Sequence, residues 1–171
     1  MQIFFTTIPI SSILHFSNYN KNSDNQIYKL HQLYSMTCDE INKICRNTLM
    51  EQLDIVFIEA NETRIVAKMP VDHRTFQPMK RLHGGASMAL AESVGSMGSI
   101  FLVDLRKFQV LGVEISGSHV ATTHENEVFG IGTIVHRGKT QHVWEIRIED
   151  KTGKLISLCR LTNRIVPIPN A

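Results

Sequence analysis

From Thr37 onward the apolar residues first recur at helical spacing, with Ile41, Ile44, Cys45 and Leu49 on one face of a helix predicted over Thr37–Met50. Its start, Thr37-Cys38-Asp39-Glu40, has the pattern of a capping box, with Thr37 as N-cap and Glu40 three residues on. Leu53–Ala60 and Thr63–Met69 read as two strands joined by a turn at Asn61-Glu62. Pro70–Leu82 holds two prolines and shows no period, and it leads into Gly84-Gly85. A long helix with almost no charge follows, from about Gly85 to Leu102. Beyond it the pattern is strand throughout: Phe108–Ala121, Val128–Arg137, Gln141–Glu149 and Leu155–Val166, rich in Val, Ile, Thr and aromatics. Gly138-Lys139 and Asp150–Gly153 supply tight turns between the last three.

A helix that is apolar all round needs burial on every side. The strands around it are numerous enough to wrap it. The order helix, two strands, apolar helix, four strands therefore predicts an α+β hotdog fold: a curled antiparallel sheet wrapped around one long central helix. Such a sheet leaves edges and part of one face uncovered, which favours dimerisation. Residues 1–35 differ from the rest, and Ser17–Gln26 has the Asn, Ser and Lys content of a linker. The expected functional domain is 36–171, with residues 1–35 an appendage or the product of a misplaced start codon.

Composition narrows the classes. A chain of 171 residues suits one compact domain, and 43% apolar with 20% charged residues excludes disorder throughout. A net charge of +2 with scattered basic residues argues against nucleic acid or an anionic membrane as partner. Cys38, Cys45 and Cys159 form no C-x-x-C pair. The first two are seven residues apart in the predicted helix, about 10 Å along its axis. That is too far for a disulfide, so reduced thiols in the cytoplasm are expected. Met1–Phe16 lacks a basic n-region and contains Pro9, and Leu82–Val103 carries glycines, serines and Glu92. Neither reads as a signal or a membrane span.

Candidate chemistry centres on Glu92, the single ionisable residue of Ala86–Val103. A lone carboxylate in an apolar helix is expensive to bury unless it is hydrogen-bonded or used. Ser87, Ser93 and Ser96 offer polar company, and the plain alternative is a glutamate satisfied by them at a subunit contact. His83-Gly84-Gly85 opens the helix, where bare backbone N–H groups at the positive end can hold a developing oxyanion; glycines there also simply permit a tight turn, and His83 also fits a capping or packing residue. Gly84 and Glu92 are eight residues apart, roughly 12 Å along a continuous helix. If both act on one carbonyl, they come from different subunits. His119, His124, His136 and His142 match no metal-ligand spacing, so no metal is expected. The chain has no nucleotide-binding glycine loop and no Gly-x-Ser-x-Gly elbow.

The segment Leu82-His83-Gly84-Gly85-Ala86-Ser87-Met88-Ala89-Leu90-Ala91-Glu92-Ser93 resembles the signature of the 4-hydroxybenzoyl-CoA thioesterase group with a catalytic glutamate, the branch that includes phenylacetyl-CoA and 1,4-dihydroxy-2-naphthoyl-CoA thioesterases. The resemblance covers roughly residues 37–166, including Met69-Pro70-Val71-Asp72, Gln77-Pro78, Val110–Val120 and His136–Trp144. It implies a hydrolase of acyl-CoA thioesters that needs no cofactor beyond the CoA of its substrate. It also implies a homodimer with intersubunit sites, associating as a dimer of dimers into a homotetramer. Glu92 would be the nucleophile or the general base, and the Gly84 N–H would polarise the carbonyl. Gln77 and His83 would orient that carbonyl or the water. Gly112, His119, Val120, Ala121, Thr122 and the run His136, Arg137, Gly138, Lys139, Thr140, Gln141 match CoA-contacting stretches. Ala121 stands where relatives carry an arginine; Arg137 and Lys139 are the candidates to supply that charge, an ordinary solvated basic turn being the other reading. Two rival functions share the pattern, an acyl-thioester dehydratase or hydratase and a non-catalytic acyl-CoA-binding protein.

Overall fold

The computed structural model describes residues 36–169; the expectations for residues 1–35 lie outside it. The capping box forms: Glu40 N–H donates to Thr37 Oγ1 at 3.3 Å, and Thr37 N–H donates to the Glu40 carboxylate at 2.7 Å. The helix it starts is shorter than the sequence pattern predicts. α1 spans Cys38–Ile44, and a separate turn of helix, α2, spans Leu49–Gln52. Asn47 between them adopts the left-handed conformation, φ 57°, and Thr48 caps the second piece by accepting from Met50 N–H at 3.2 Å. The expected core face breaks with the helix: Ile41 and Cys45 are buried, whereas Ile44 is 53% and Leu49 62% exposed.

Among the described residues six strands then build one antiparallel sheet: β1 Val56–Ala60, β2 Arg64–Pro70, β3 Phe108–His119, β4 Glu127–Arg137, β5 Gln141–Asp150 and β6 Leu155–Pro167. Their spatial order is β1-β2-β4-β5-β6-β3. The sheet curls around α3, Gly84–Phe101, as a hotdog fold. The core fills the space between them, with Trp144, Ile146 and Leu161 from the sheet meeting Leu90, Val94 and Met97 from the helix. The approach is close. A Cβ on Gly98 would lie 2.7 Å from the Trp144 ring and 3.1 Å from Ile65 Cγ2, so the helix rests there on bare backbone.

The two sheet edges differ. At β1, the Asn42 side chain takes both backbone groups of Phe57, donating to its carbonyl at 2.9 Å and accepting from its N–H at 2.8 Å. That blocks the edge as an added strand would. At the other edge, β3 is twelve residues long and, among the described residues, pairs with β6 alone. It exposes Leu111 (47%) and Val113 (56%).

Candidate active site

α3 and β3 run in opposite directions, and three close approaches fix their alignment. Gly84 lies under His119, Met88 Sδ approaches Gly117, and the Glu92 carboxylate occupies the space a side chain on Gly112 would need. Glu92 is half-buried. It sits on the one partly open stripe of the helix, with Ala89, Ser96 and Ile100. Of the three serines expected to accompany it, only Ser96 does, donating to Oε1 at 3.3 Å. Ser93 donates back to the Ala89 carbonyl at 2.7 Å, and Ser87 is buried. Burial pushes the Glu92 carboxyl above the ordinary carboxylate range, and the Ser96 hydroxyl partly offsets that.

The helix start is arranged so that one amide keeps no partner among the described residues. His83 is the N-cap, and its Nδ1 accepts from Gly85 N–H at 2.8 Å. Ala86 and Ser87 both donate to the His83 carbonyl, at 2.9 and 3.2 Å. Of the first four amides, this leaves that of Gly84 for a ligand at the positive end of the dipole. His83 is therefore the helix cap. His119 stands over this point, with Nε2 2.6 Å from where a Gly84 Cβ would be, and Nδ1 2.8 Å from the Ser157 hydroxyl. Glycine is required at 84 because the imidazole fills the side-chain position. Gln77 lies in the preceding loop, its Oε1 accepting from Met79 N–H. The oxygen being held, the side-chain NH₂ is the end left to donate to a substrate carbonyl.

The remaining candidates divide between the two ends of α3. Near its start, Val120 and Ala121 both donate to the Ile156 carbonyl, and Thr122 O accepts from Lys154 Nζ at 2.8 Å. Lys154, which the sequence reading missed, thus places a cation beside Ala121. Near its other end, Arg137 reaches the Leu102 carbonyl at 3.4 Å, and Gly138 N–H closes the turn onto the Gln141 carbonyl at 2.9 Å. There a pocket of about 600 Å³ is lined by Leu102, Phe108, Arg137, Lys139, Thr140 and His142, among others. His136 packs beside Gly138, its Nε2 2.6 Å from the Cβ position. Within one chain the two candidate CoA stretches are separated by the length of α3, about 27 Å.

Behind Glu92 lies a buried polar cluster that the strand pattern alone left as ordinary sheet. Ser99 Oγ is 2.9 Å from Trp144 Nε1, 2.9 Å from Asn163 Nδ2 and 3.1 Å from His142 Nδ1. The indole and the amide only donate here, so the hydroxyl donates to His142 Nδ1. His142 is therefore the neutral Nε2–H tautomer, and its pKa is lowered to about 4, by burial first and then by Arg137 and His136. A signal existed in the sequence: Ser157, Cys159, Leu161, Asn163 and Ile165 form the inward series of β6, and Asn163 is a polar residue at an apolar step. Among the described residues no group of His, Cys, Asp and Glu could hold a metal ion, and no helix is long and apolar enough to cross a membrane.

A curled sheet around one helix, bearing a half-buried carboxylate of raised pKa at mid-helix and an unpartnered amide at its start, defines a hotdog hydrolase. Similarity to known proteins gives the same class. The family model of the thioesterase superfamily matches residues 79–157. The chain is 38% identical to PA1618 of Pseudomonas aeruginosa over 130 residues, 76% of this chain and 90% of that protein. A solved glutamine-to-alanine variant of thioesterase PA1618 superposes with a TM-score of 0.76 at 36% identity, covering 78% of this chain and 96% of the other. Thioesterase HI1161 of Haemophilus influenzae gives 0.75 at 33% identity, over 79% and 94%. A glutamate-to-alanine variant of SAV0944 from Staphylococcus aureus gives 0.68 at 38% identity, over 70% and 99%. The chain belongs to the thioesterase superfamily and is a thioester hydrolase.

Proposed function

We propose that the protein hydrolyses an acyl-CoA thioester in the cytoplasm, at two sites per homodimer, each combining Glu92 of one protomer with the Gly84 amide of its partner. The observation that carries this reading is the unbroken helix Gly84–Phe101, which holds the two groups roughly 12 Å apart in one chain. The open β3 edge supplies the remedy. Two copies of β3 pairing antiparallel about a two-fold axis between Ile115 and Ser116 set Gly112 of one protomer opposite the partner's His119. Glu92 rides on Gly112 and Gly84 on His119. That register therefore brings each carboxylate toward the partner's helix start. Two such dimers would associate as a homotetramer.

In the reaction, Glu92 attacks the thioester carbonyl or takes a proton from the water that does. The partner's Gly84 N–H stabilises the oxyanion, and CoA leaves as the thiolate. No metal or redox cofactor takes part. Gln77 turns its NH₂ to the carbonyl. Support for that pairing comes from SAV0944, in which the substituted glutamine and glutamate are fifteen positions apart, the same separation as Gln77 and Glu92 here. The resemblance to the aryl-CoA branch makes an aryl or cyclic acyl group the preferred substrate, 1,4-dihydroxy-2-naphthoyl-CoA included.

The test uses two inactive variants. Glu92→Ala removes the carboxylate. Gly84→Pro removes the amide N–H, and its Cβ also runs into His119. Co-expression gives mixed dimers with one intact site, and activity returns to about a quarter of wild type, because random pairing makes half the dimers mixed. Verified heterodimers without activity refute the shared site. A panel of benzoyl-, naphthoyl-, phenylacetyl- and medium-chain acyl-CoA identifies the acyl group.

A further inference from the structure

Gly112, Asn163 and His142 form one row across three neighbouring strands on the face that meets α3. Asn163 is the register partner of Gly112 on β3 and of His142 on β5. Asn163 is fully buried, and its NH₂ donates to the Gly95 carbonyl at 3.0 Å and to Ser99 Oγ at 2.9 Å. A carbonyl only accepts, so the amide nitrogen faces the helix and Oδ1 points away from it. That oxygen is the only buried side-chain nitrogen or oxygen without a hydrogen-bond partner among the described residues. Interior polar atoms are rarely left so, because an unpaired acceptor loses its water and gains nothing.

Its position suggests what it serves. Oδ1 lies 3.7 Å from where a Cβ on Gly112 would sit, and the Glu92 carboxylate overlaps that same point. The side chain missing at Gly112 thus opens a gap shared by two acceptors. An ionised carboxylate has no hydrogen to offer Oδ1; a protonated one has. Resting on the reading of Glu92 as the catalytic carboxylate, we infer that Asn163 is a positioning residue whose amide oxygen accepts the hydrogen bond that Glu92 offers once it has taken a proton from the attacking water. The water oxygen bonds to the carbonyl carbon, its proton passes to Glu92, and the carbonyl π pair moves onto oxygen. Collapse of that intermediate breaks the C–S bond, and the proton passes from Glu92 to the CoA thiolate. Asn163 favours the neutral carboxyl throughout the intermediate's lifetime, which makes Glu92 a general base rather than the group that forms an anhydride.

Other ionisable groups on the elements around this point face elsewhere. α3 has none besides Glu92. Glu114 on β3 and Arg160 and Arg164 on β6 are exposed, and by register they lie on the outer face of the sheet, as does Glu145 on β5. Three ionisable groups on β5 and β6 face inward: His142 is bonded to Ser99, Cys159 lies against Met88 and Gly117, and Asp150 is held by Thr123 and Thr152. His83 and His119 stand at the start of the helix.

The experiment measures the Glu92 carboxyl titration by ¹³C NMR and the acidic limb of kcat/KM in the full chain. Asn163→Leu keeps the branched shape at a somewhat larger volume and removes the acceptor together with the two donated bonds. The Glu92 midpoint falls by about 0.5–1 pH unit, and kcat drops by roughly tenfold with KM little changed. Asn163→Asp keeps the shape and puts a second carboxyl beside Glu92, so the midpoint rises by about one unit or more. A midpoint unmoved in either folded variant overturns the inference, even if melting temperature falls. Should Asn163→Leu fail to fold, Asn163→Asp decides alone, since its protonated form keeps the shape and one of the amide's two donated bonds. Activity surviving in Glu92→Ala is a separate result and overturns the reading of Glu92 itself.

Discussion

Replacing Ser99 with alanine removes one oxygen and disturbs three partners at once. Trp144 Nε1–H, one N–H of Asn163 and His142 Nδ1 all lose their hydrogen bond, and all three residues are buried. Asn163 keeps its bond to the Gly95 carbonyl, so the amide does not turn to find another partner. The space vacated by one hydroxyl is too small for a well-bonded water. An unsatisfied buried donor or acceptor costs about 1–3 kcal/mol, which for three of them puts Ser99→Ala at about 3–9 kcal/mol. Domains of this kind are stable by only about 5–15 kcal/mol, so the variant stands near the edge of folding at 37 °C. The assay is urea denaturation followed by Trp144 fluorescence, with wild type and variant at equal protomer concentration because assembly contributes to apparent stability. A loss below about 1 kcal/mol, the range of an ordinary surface change, would refute the hub.

Further predictions follow from the same geometry. His142 takes a proton near pH 6.5 when unfolded but only near 4 when folded. Stability is therefore full above about 6.5, declines as the pH falls toward 4 by about 3 kcal/mol in all, and changes no further below that. His142→Gln should flatten that slope in pH-dependent denaturation, and an unchanged slope would assign it to other groups. Gly98→Ala drives a methyl into the Trp144 ring and should cost about 1–3 kcal/mol, seen as a lower melting temperature; an unchanged Tm would mean the helix can lift freely. Arg137→Ala with Lys139→Ala should raise KM for CoA esters well above its effect on pantetheine thioesters, with Lys154→Ala testing the cation beside Ala121. Equal effects on both substrates would make the Arg137–Lys139 turn a solvated surface. A chain starting at Met36 should fold and hydrolyse as the full one does, because the capping box at Thr37 opens the patterned domain; insoluble or inactive protein would show that residues 1–35 are structural.

Much of this protein is written locally. The apolar run Ala86–Val103 demands burial on all sides, and the alternating strands after Phe108 can supply it, so periodicity alone leads to a sheet around a helix. A single glutamate in that run marks the candidate for the chemistry, because charge is too costly to bury idly. The capping box at Thr37 is legible for the same reason, since its partners are three residues apart. Tertiary structure decided what depends on distant partners. The 3.6-residue period continues across Asn47, so the sequence alone could not show that the backbone turns left-handed there and exposes Ile44 and Leu49. Which serine accompanies Glu92 depends on rotamers, and only Ser96 was aimed at it. The cluster of Ser99, His142, Trp144 and Asn163 draws on one helix and two strands, and only strand register brings those residues together. Lys154 reaches Thr122 across 32 positions of chain, a separation that no local pattern encodes. Spacing along the chain fixes periods and caps, whereas sheet register fixes which side chains share an interior.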